Sequence, residues 1–276
     1  MPFPLLKLPY LAIQKVVLHL TFNEIKDHKW SYLNSCTTPI TQVKVVYDYL
    51  QELFNNLPVE SARFSSFHEA LSPRKFGIRS CGSLALYDRK KKIPVDHIRY
   101  FLEDIKVSTC LDIHLPNNLD FRLDSARFSV DEVFIEHAQW VSRATFLSMD
   151  CSRITLWNEC FTQKDIQDFI SQWLNSTSTR LVWLKMIPSE RRTHFESSMF
   201  PTKPWDPNSR GRYFKLEHCD DYNGVSKVDC SGGMDLIRSD GLMATIVLMA
   251  YTTYFLVWHD KHHDDTENYP DDYFYW

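Results

Sequence analysis

The sequence predicts an α/β fold: a small helical N-terminal module, then an irregular, leucine-rich-repeat-like α/β solenoid closed by antiparallel C-terminal strands. Three observations carry this. Strand-like segments recur at 84–86, 111–115, 133–135, 154–156 and 181–184, their first positions separated by 27, 22, 21 and 27 residues. That spacing falls near the roughly 20–29-residue period of leucine-rich repeats. Amphipathic helical stretches lie between these segments, and the last third turns to paired strands. The repeat has no asparagine ladder, so a conventional open α/β sheet stays open as an alternative.

Residues 1–20 are dense in apolar side chains. Pro9 suits the first turn of a helix, where its missing N–H costs nothing. Tyr10, Ile13, Val16, Val17 and Leu20 follow as one helical stripe, behind an extended lead bearing Leu5, Leu6 and Leu8. Such a lead and stripe form either a core helix or a module that fills a groove on a partner. Pro39 interrupts the loops and short helices expected over 23–39, and a helix is predicted over 42–57 with Val45, Val46, Tyr49, Leu50, Leu53 and Phe54 on one side. A helix over 95–105 presents Ile98, Phe101, Leu102 and Ile105. Another over 162–174 starts at Thr162, with Asp165 three residues on, and carries Ile166, Phe169, Ile170, Trp173 and Leu174. Residues 188–207, with four prolines, read as a connection. Strands are expected over 213–217 and 234–238, and the apolar 242–258 run reads as two buried strands joined near Tyr251–Tyr254. Its seventeen uncharged residues fall short of the about 20 that a membrane span needs. The Ser231–Gly233 and Ser239–Gly241 tripeptides read as glycine turns.

Composition narrows the function classes. A net charge of −4, from 31 basic and 35 acidic residues, argues against a general nucleic-acid binder. The seven cysteines form no C-x-x-C pair and no framework, as in a reduced intracellular protein. The apolar start lacks a basic region before it and a small-residue cleavage site, so it does not read as a secretion signal. No nucleophile elbow, phosphate loop or H-E-x-x-H motif is present, so no catalytic residue, cofactor or metal ligand is assigned. Two charged runs, Arg89–Lys92 and the histidine-rich stretch after Trp258, read as solvated segments.

A resemblance refines this picture. Phe3-Pro-Leu-Leu-Lys-Leu-Pro-Tyr-Leu-Ala-Ile13 resembles the start of an F-box, in the nematode-expanded class where an F-box precedes a type-2 F-box-associated domain. Ile154-Thr-Leu-Trp-Asn158, the 161–174 segment and Arg180-Leu-Val-Trp-Leu184 are similar to that class's most characteristic block, and a third block runs from Gly232 to Ile246 with Trp258 beyond it. The resemblance implies an F-box over 1–45, with an atypical second half, and an F-box-associated, repeat-like substrate-binding domain over 46–276. It implies a non-enzymatic substrate-recognition subunit of an SCF-type cullin–RING ubiquitin ligase, in the cytoplasm or nucleus. Its partners would be a Skp-type adaptor with its cullin complex and an unknown protein substrate, without nucleic acid or membrane. The residues matching the adaptor-binding motif are Pro4, Leu5, Leu6, Leu8, Pro9, Leu11, Ile13, Val16 and Val17. After Leu20 the chain lacks the serine-plus-basic pair of that class. A scaffold that binds proteins but has lost ligase recruitment is therefore the alternative.

The strand alternation also points to a recognition surface. With Leu111, Ile113 and Leu115 inward, Asp112 and His114 face outward; with Ile154 and Leu156 inward, Thr155 and Trp157 face outward. Asp112, His114 and Trp157 are the expected substrate-binding residues. Trp183 and Val182 are left unsettled, because Leu184 breaks the alternation after Leu181.

Overall fold

The computed structural model describes residues 48, 59–64, 77–88, 93–116, 122, 127–189, 198–218, 225–249 and 251–260. The nine adaptor-motif residues, the 42–57 helix apart from Asp48, the expected boundary near residue 45 and the charged run 89–92 lie outside them. The chain divides into two compact units, Met1–Ser108 and Thr109–Trp276.

In the first unit, strand β1 (Val59–Phe64) runs parallel to β2 (Ser80–Tyr87). Their backbones approach closely at Gly82, where a Cβ would stand 2.7 Å from the Glu60 carbonyl oxygen. Helix α1 (Val95–Arg99) continues as a π-helical turn over Tyr100–Asp104. This matches the helix expected over 95–105, with Ile98, Phe101 and Ile105 buried. The wider turn carries the Tyr100 hydroxyl to donate to the Ile78 carbonyl at 2.9 Å.

The second unit opens within β3 (Lys106–His114). It is mixed α/β, built on a large sheet in the order β3–β4–β5–β6–β12–β11–β10–β7. Strands β4 (Glu132–Glu136), β5 (Arg153–Glu159) and β6 (Trp183–Pro188) continue parallel from β3. Then β12 (Thr252–Trp258), β11 (Met243–Met249), β10 (Met234–Ile237) and β7 (Lys203–Pro204) pair antiparallel. The expected segments at 111–115, 133–135 and 154–156 fall on β3 to β5. The last begins later, because β6 starts at Trp183.

Register sorts the side chains into two faces. One buried row passes through Leu111, Val133, Ile154, Leu184, Phe255 and Ile246. Two helices cover this face, α2 (Arg143–Leu147) and α3 (Gln163–Asn175). Phe146 stacks on Phe161 and Phe169, while Phe169 and Trp173 meet Phe255 edge-on. Helix α3 starts as its sequence dictates. Thr162 accepts from the Asp165 backbone N–H while the Asp165 carboxylate accepts from Thr162, a complete capping box.

On the other face, a separate hairpin of β8 (Tyr213–Glu217) and β9 (Val225–Asp229) covers the antiparallel half. Phe214, Leu216 and Val228 form a buried cluster with Trp183, Leu256 and Trp258. Both faces are therefore closed at the start of β6, which is why Trp183 and Leu184 are both buried and the alternation disappears there. The strand expected over 213–217, β8, was to help close the end of the solenoid; instead it pairs with β9 in a sheet of its own, tied to the large one by apolar side chains. Strand β11 ends at Met249 and β12 starts at Thr252, with Tyr251 in the turn, at the start of the expected window. Of the two glycine turns only Gly241 has a positive φ (+89°); Gly233 instead sits where a Cβ would meet Thr245 at 2.5 Å.

Candidate functional site

In the parallel half, the face opposite α2 and α3 carries a cluster that spans β3 to β5. Alternation directs it: Leu111, Ile113, Val133, Ile135, Ile154 and Leu156 are all buried toward the helices. Their neighbours therefore turn the other way. Asp112, Phe134 and Thr155 form one transverse row, His114 and Glu136 begin the next, and Trp157 follows in the same register.

These residues touch. The two His114 ring nitrogens meet two carboxylates, Nε2 at 2.8 Å from Asp112 Oδ1 and Nδ1 at 2.6 Å from Glu136 Oε2. A neutral imidazole has a single N–H, so two carboxylate partners favour the doubly protonated ring. Burial disfavours the charged ring, but hydrogen bonds and charge attraction from Asp112, then Glu136, outweigh it and raise the His114 pKa above its ordinary value. The imidazole stacks on Phe134 (centroids 5.1 Å apart), and Phe134 meets Trp157 at 5.4 Å.

The C-terminal ends of β4 and β5 reinforce the cluster. His137 (φ 59°) and Asn158 (φ 49°) are the described non-glycine residues with positive φ. That region is uncommon for such residues but enriched in Asn and His. The Asn158 side-chain amide meets His137 Nδ1 at 2.7 Å, joining the two strand ends. A register shift between Trp157 and Glu159 marks a bulge at this point, a device that re-aims side chains. Glu159, beyond the bulge, is fully buried, and its carboxylate accepts from the Phe161 backbone N–H at 2.6 Å.

Asp112, His114 and Trp157 thus share one face, linked through Phe134 and Glu136, and all five are partly exposed. Thr155 lies on that face but is only 3% exposed. Sequence reasoning missed Phe134 and Glu136. The run Val133-Phe-Ile135 is apolar throughout, so it shows no alternation, and only its register against β3 reveals which of the three faces outward. Toward the antiparallel half the face is bounded where His218, at the end of β8, meets Glu132 (2.6 Å) and the Trp183 ring. Among these groups Trp157 is of a type enriched in binding hot spots, and the carboxylates beside it can accept hydrogen bonds from a ligand.

The family comparison falls on this framework. Residues 115–186, from just after β3 through β4, α2, β5 and α3 into β6, match the model of the F-box associated family. This segment is similar to the F-box associated domain. The chain is 29% identical to the uncharacterized protein F59B2.9 of Caenorhabditis elegans over 134 residues, 47% of this chain and 31% of the relative. It is likewise 29% identical to the uncharacterized protein F59B2.8 of the same nematode over 141 residues, 48% and 31% of the two chains. The aligned part thus spans about a third of these relatives. The E3 ubiquitin-protein ligase hecw-1, also of C. elegans, is 32% identical over 71 residues, 24% of this chain and 6% of the ligase. No solved structure matches the chain. The F-box associated segment contains Phe134, Glu136 and Trp157, while Asp112 and His114 lie immediately before it.

Proposed function

We propose that this chain is the substrate-recognition subunit of an SCF-type cullin–RING E3 ubiquitin ligase, itself non-catalytic and working in the cytoplasm or nucleus. Pro4, Leu5, Leu6, Leu8, Pro9, Leu11, Ile13, Val16 and Val17 bind a Skp-type adaptor through the N-terminal F-box. The parallel half of the second unit, an irregular leucine-rich-repeat-like array, captures a protein substrate on the face bearing Asp112, His114 and Trp157. The observation that carries this reading is the F-box associated match over β4 and β5, two of the three strands that build that face. The local similarity to a nematode protein named as a ubiquitin ligase agrees with the same pathway. Such a receptor makes or breaks no bond itself. It raises the effective concentration of substrate lysines beside the ubiquitin-loaded enzyme, a contribution of proximity alone.

The test is affinity purification of the full chain with mass spectrometry, comparing the natural sequence with the combined Asp112→Ala, His114→Ala and Trp157→Ala variant. Loss of the captured substrates with the adaptor retained is the expected result. Recovery of the same substrates by the variant contradicts the assignment of this face.

A further inference from the structure

The outermost row of the open face does not end at Trp157. Extending the β4–β5 and β6–β12 ladders by one position carries it on from the pair His114 and Glu136, through the pair Trp157 and Ile187, to the pair Thr252 and Met249 near the tip of the β11–β12 hairpin. Its polarity changes from end to end. At the β3–β4 end the carboxylates of Asp112 and Glu136 flank one imidazolium, with the His137 ring 3.8 Å from Glu136. In the middle stand Trp157 and Ile187, both partly exposed. At the far end Met249 and the adjoining Tyr251 are 37% and 49% exposed, beside Leu248, which is 41% exposed on the opposite face. The row crosses six strands, so at about 4.8 Å per step it is about 24 Å long, the reach of about seven extended residues.

Resting on the reading of this face as substrate-binding, we infer that its ligand is an extended substrate segment of about seven residues, cationic at one end and bulky and apolar at the other. The cationic side chain, arginine or lysine, lies against the carboxylates of Asp112 and Glu136 beside the aromatic rings of Phe134 and Trp157. This combines charge complementarity with stacking. The apolar end covers Met249 and Tyr251. Hairpin β8–β9 packs over the inner rows, and the outer row is partly exposed on either side of Thr252, which is itself buried at 1% exposure.

Fluorescence polarisation of the full chain with three labelled octapeptides, each in both chain directions, tests the inference. One carries arginine near one end and leucine and phenylalanine near the other; the second has glutamate for the arginine; the third has serine for both apolar residues. The arginine–apolar peptide is expected to bind at least about tenfold more tightly than either counterpart. Glu136→Lys should shift the preference toward the glutamate peptide, and Met249→Ser should weaken the parent peptide while leaving the arginine-over-glutamate preference intact. Equal binding of the three peptides, or no binding of any, overturns the inference. The wider functional reading is judged separately, by whether substrate recovery depends on Asp112, His114 and Trp157.

Discussion

Single residues show how much of this molecule is set by the pairing of buried charge. Arg210 is fully buried; its guanidinium meets Asp235 at 2.8 Å, donates to the Cys230 carbonyl at 3.0 Å and lies over the Trp258 ring. The same carboxylate accepts from the Thr245 hydroxyl, which accepts from the Trp258 indole N–H. Asp235→Ala leaves a buried cation uncompensated and should cost roughly 3–5 kcal/mol in chemical denaturation. A change below about 1 kcal/mol would contradict the network. At the candidate site the sign runs with pH. The folded His114 pKa is raised, so its contribution is fully present below the ordinary histidine value of about 6.5 and is lost as pH rises through the folded value. The stability lead of the natural chain over a His114→Gln variant should therefore be largest in mild acid and shrink with rising pH. A lead that grows with pH contradicts the imidazolium assignment. Asp112 and His114 were legible from the sequence because β3 alternates cleanly. Glu136, His137 and Asn158 were not, because register and positive φ belong to the folded chain.

Among the elements, α3 was the most legible, since a capping box and an apolar stripe are local signals. Trp173 is 5% exposed against Phe255, and Trp173→Ala should cost roughly 3–5 kcal/mol; a variant that melts like the natural chain would contradict this packing. The end of α3 is also pinned from outside. Arg238 donates to the Ser178 carbonyl at 2.7 Å and lies over the Trp173 ring, while Asp240 holds it at 2.6 Å. That bond to Arg238 holds the Asp240 carboxyl down to about 2. Strands β1 and β9 escaped sequence reading for a common reason. Their side chains mix polar and apolar without a clean period, and pairing with β2 and β8 fixes them in the folded chain. The placement of β8–β9 over the sheet face, rather than at its end, follows from complementary apolar surfaces that no local pattern encodes.

At the scale of the whole molecule, the α/β class and the parallel-then-antiparallel order of the second unit could be read in advance. Strand spacing and the change of character after Pro188 are long-range features of the sequence itself. Which half of the sheet stays open could not, because it depends on where the β8–β9 hairpin lands. The proposed receptor must join two activities, substrate capture by the second unit and adaptor binding by the N-terminal segment. The most direct measurement is co-purification of a Skp-type adaptor with the full chain, beside the double variant Leu8→Ala, Pro9→Ala and the combined Asp112→Ala, His114→Ala, Trp157→Ala variant. The account predicts adaptor bound to the natural chain and to the face variant but lost from the Leu8–Pro9 variant. Natural chain that recovers no adaptor, or equal recovery by the Leu8–Pro9 variant, would contradict it.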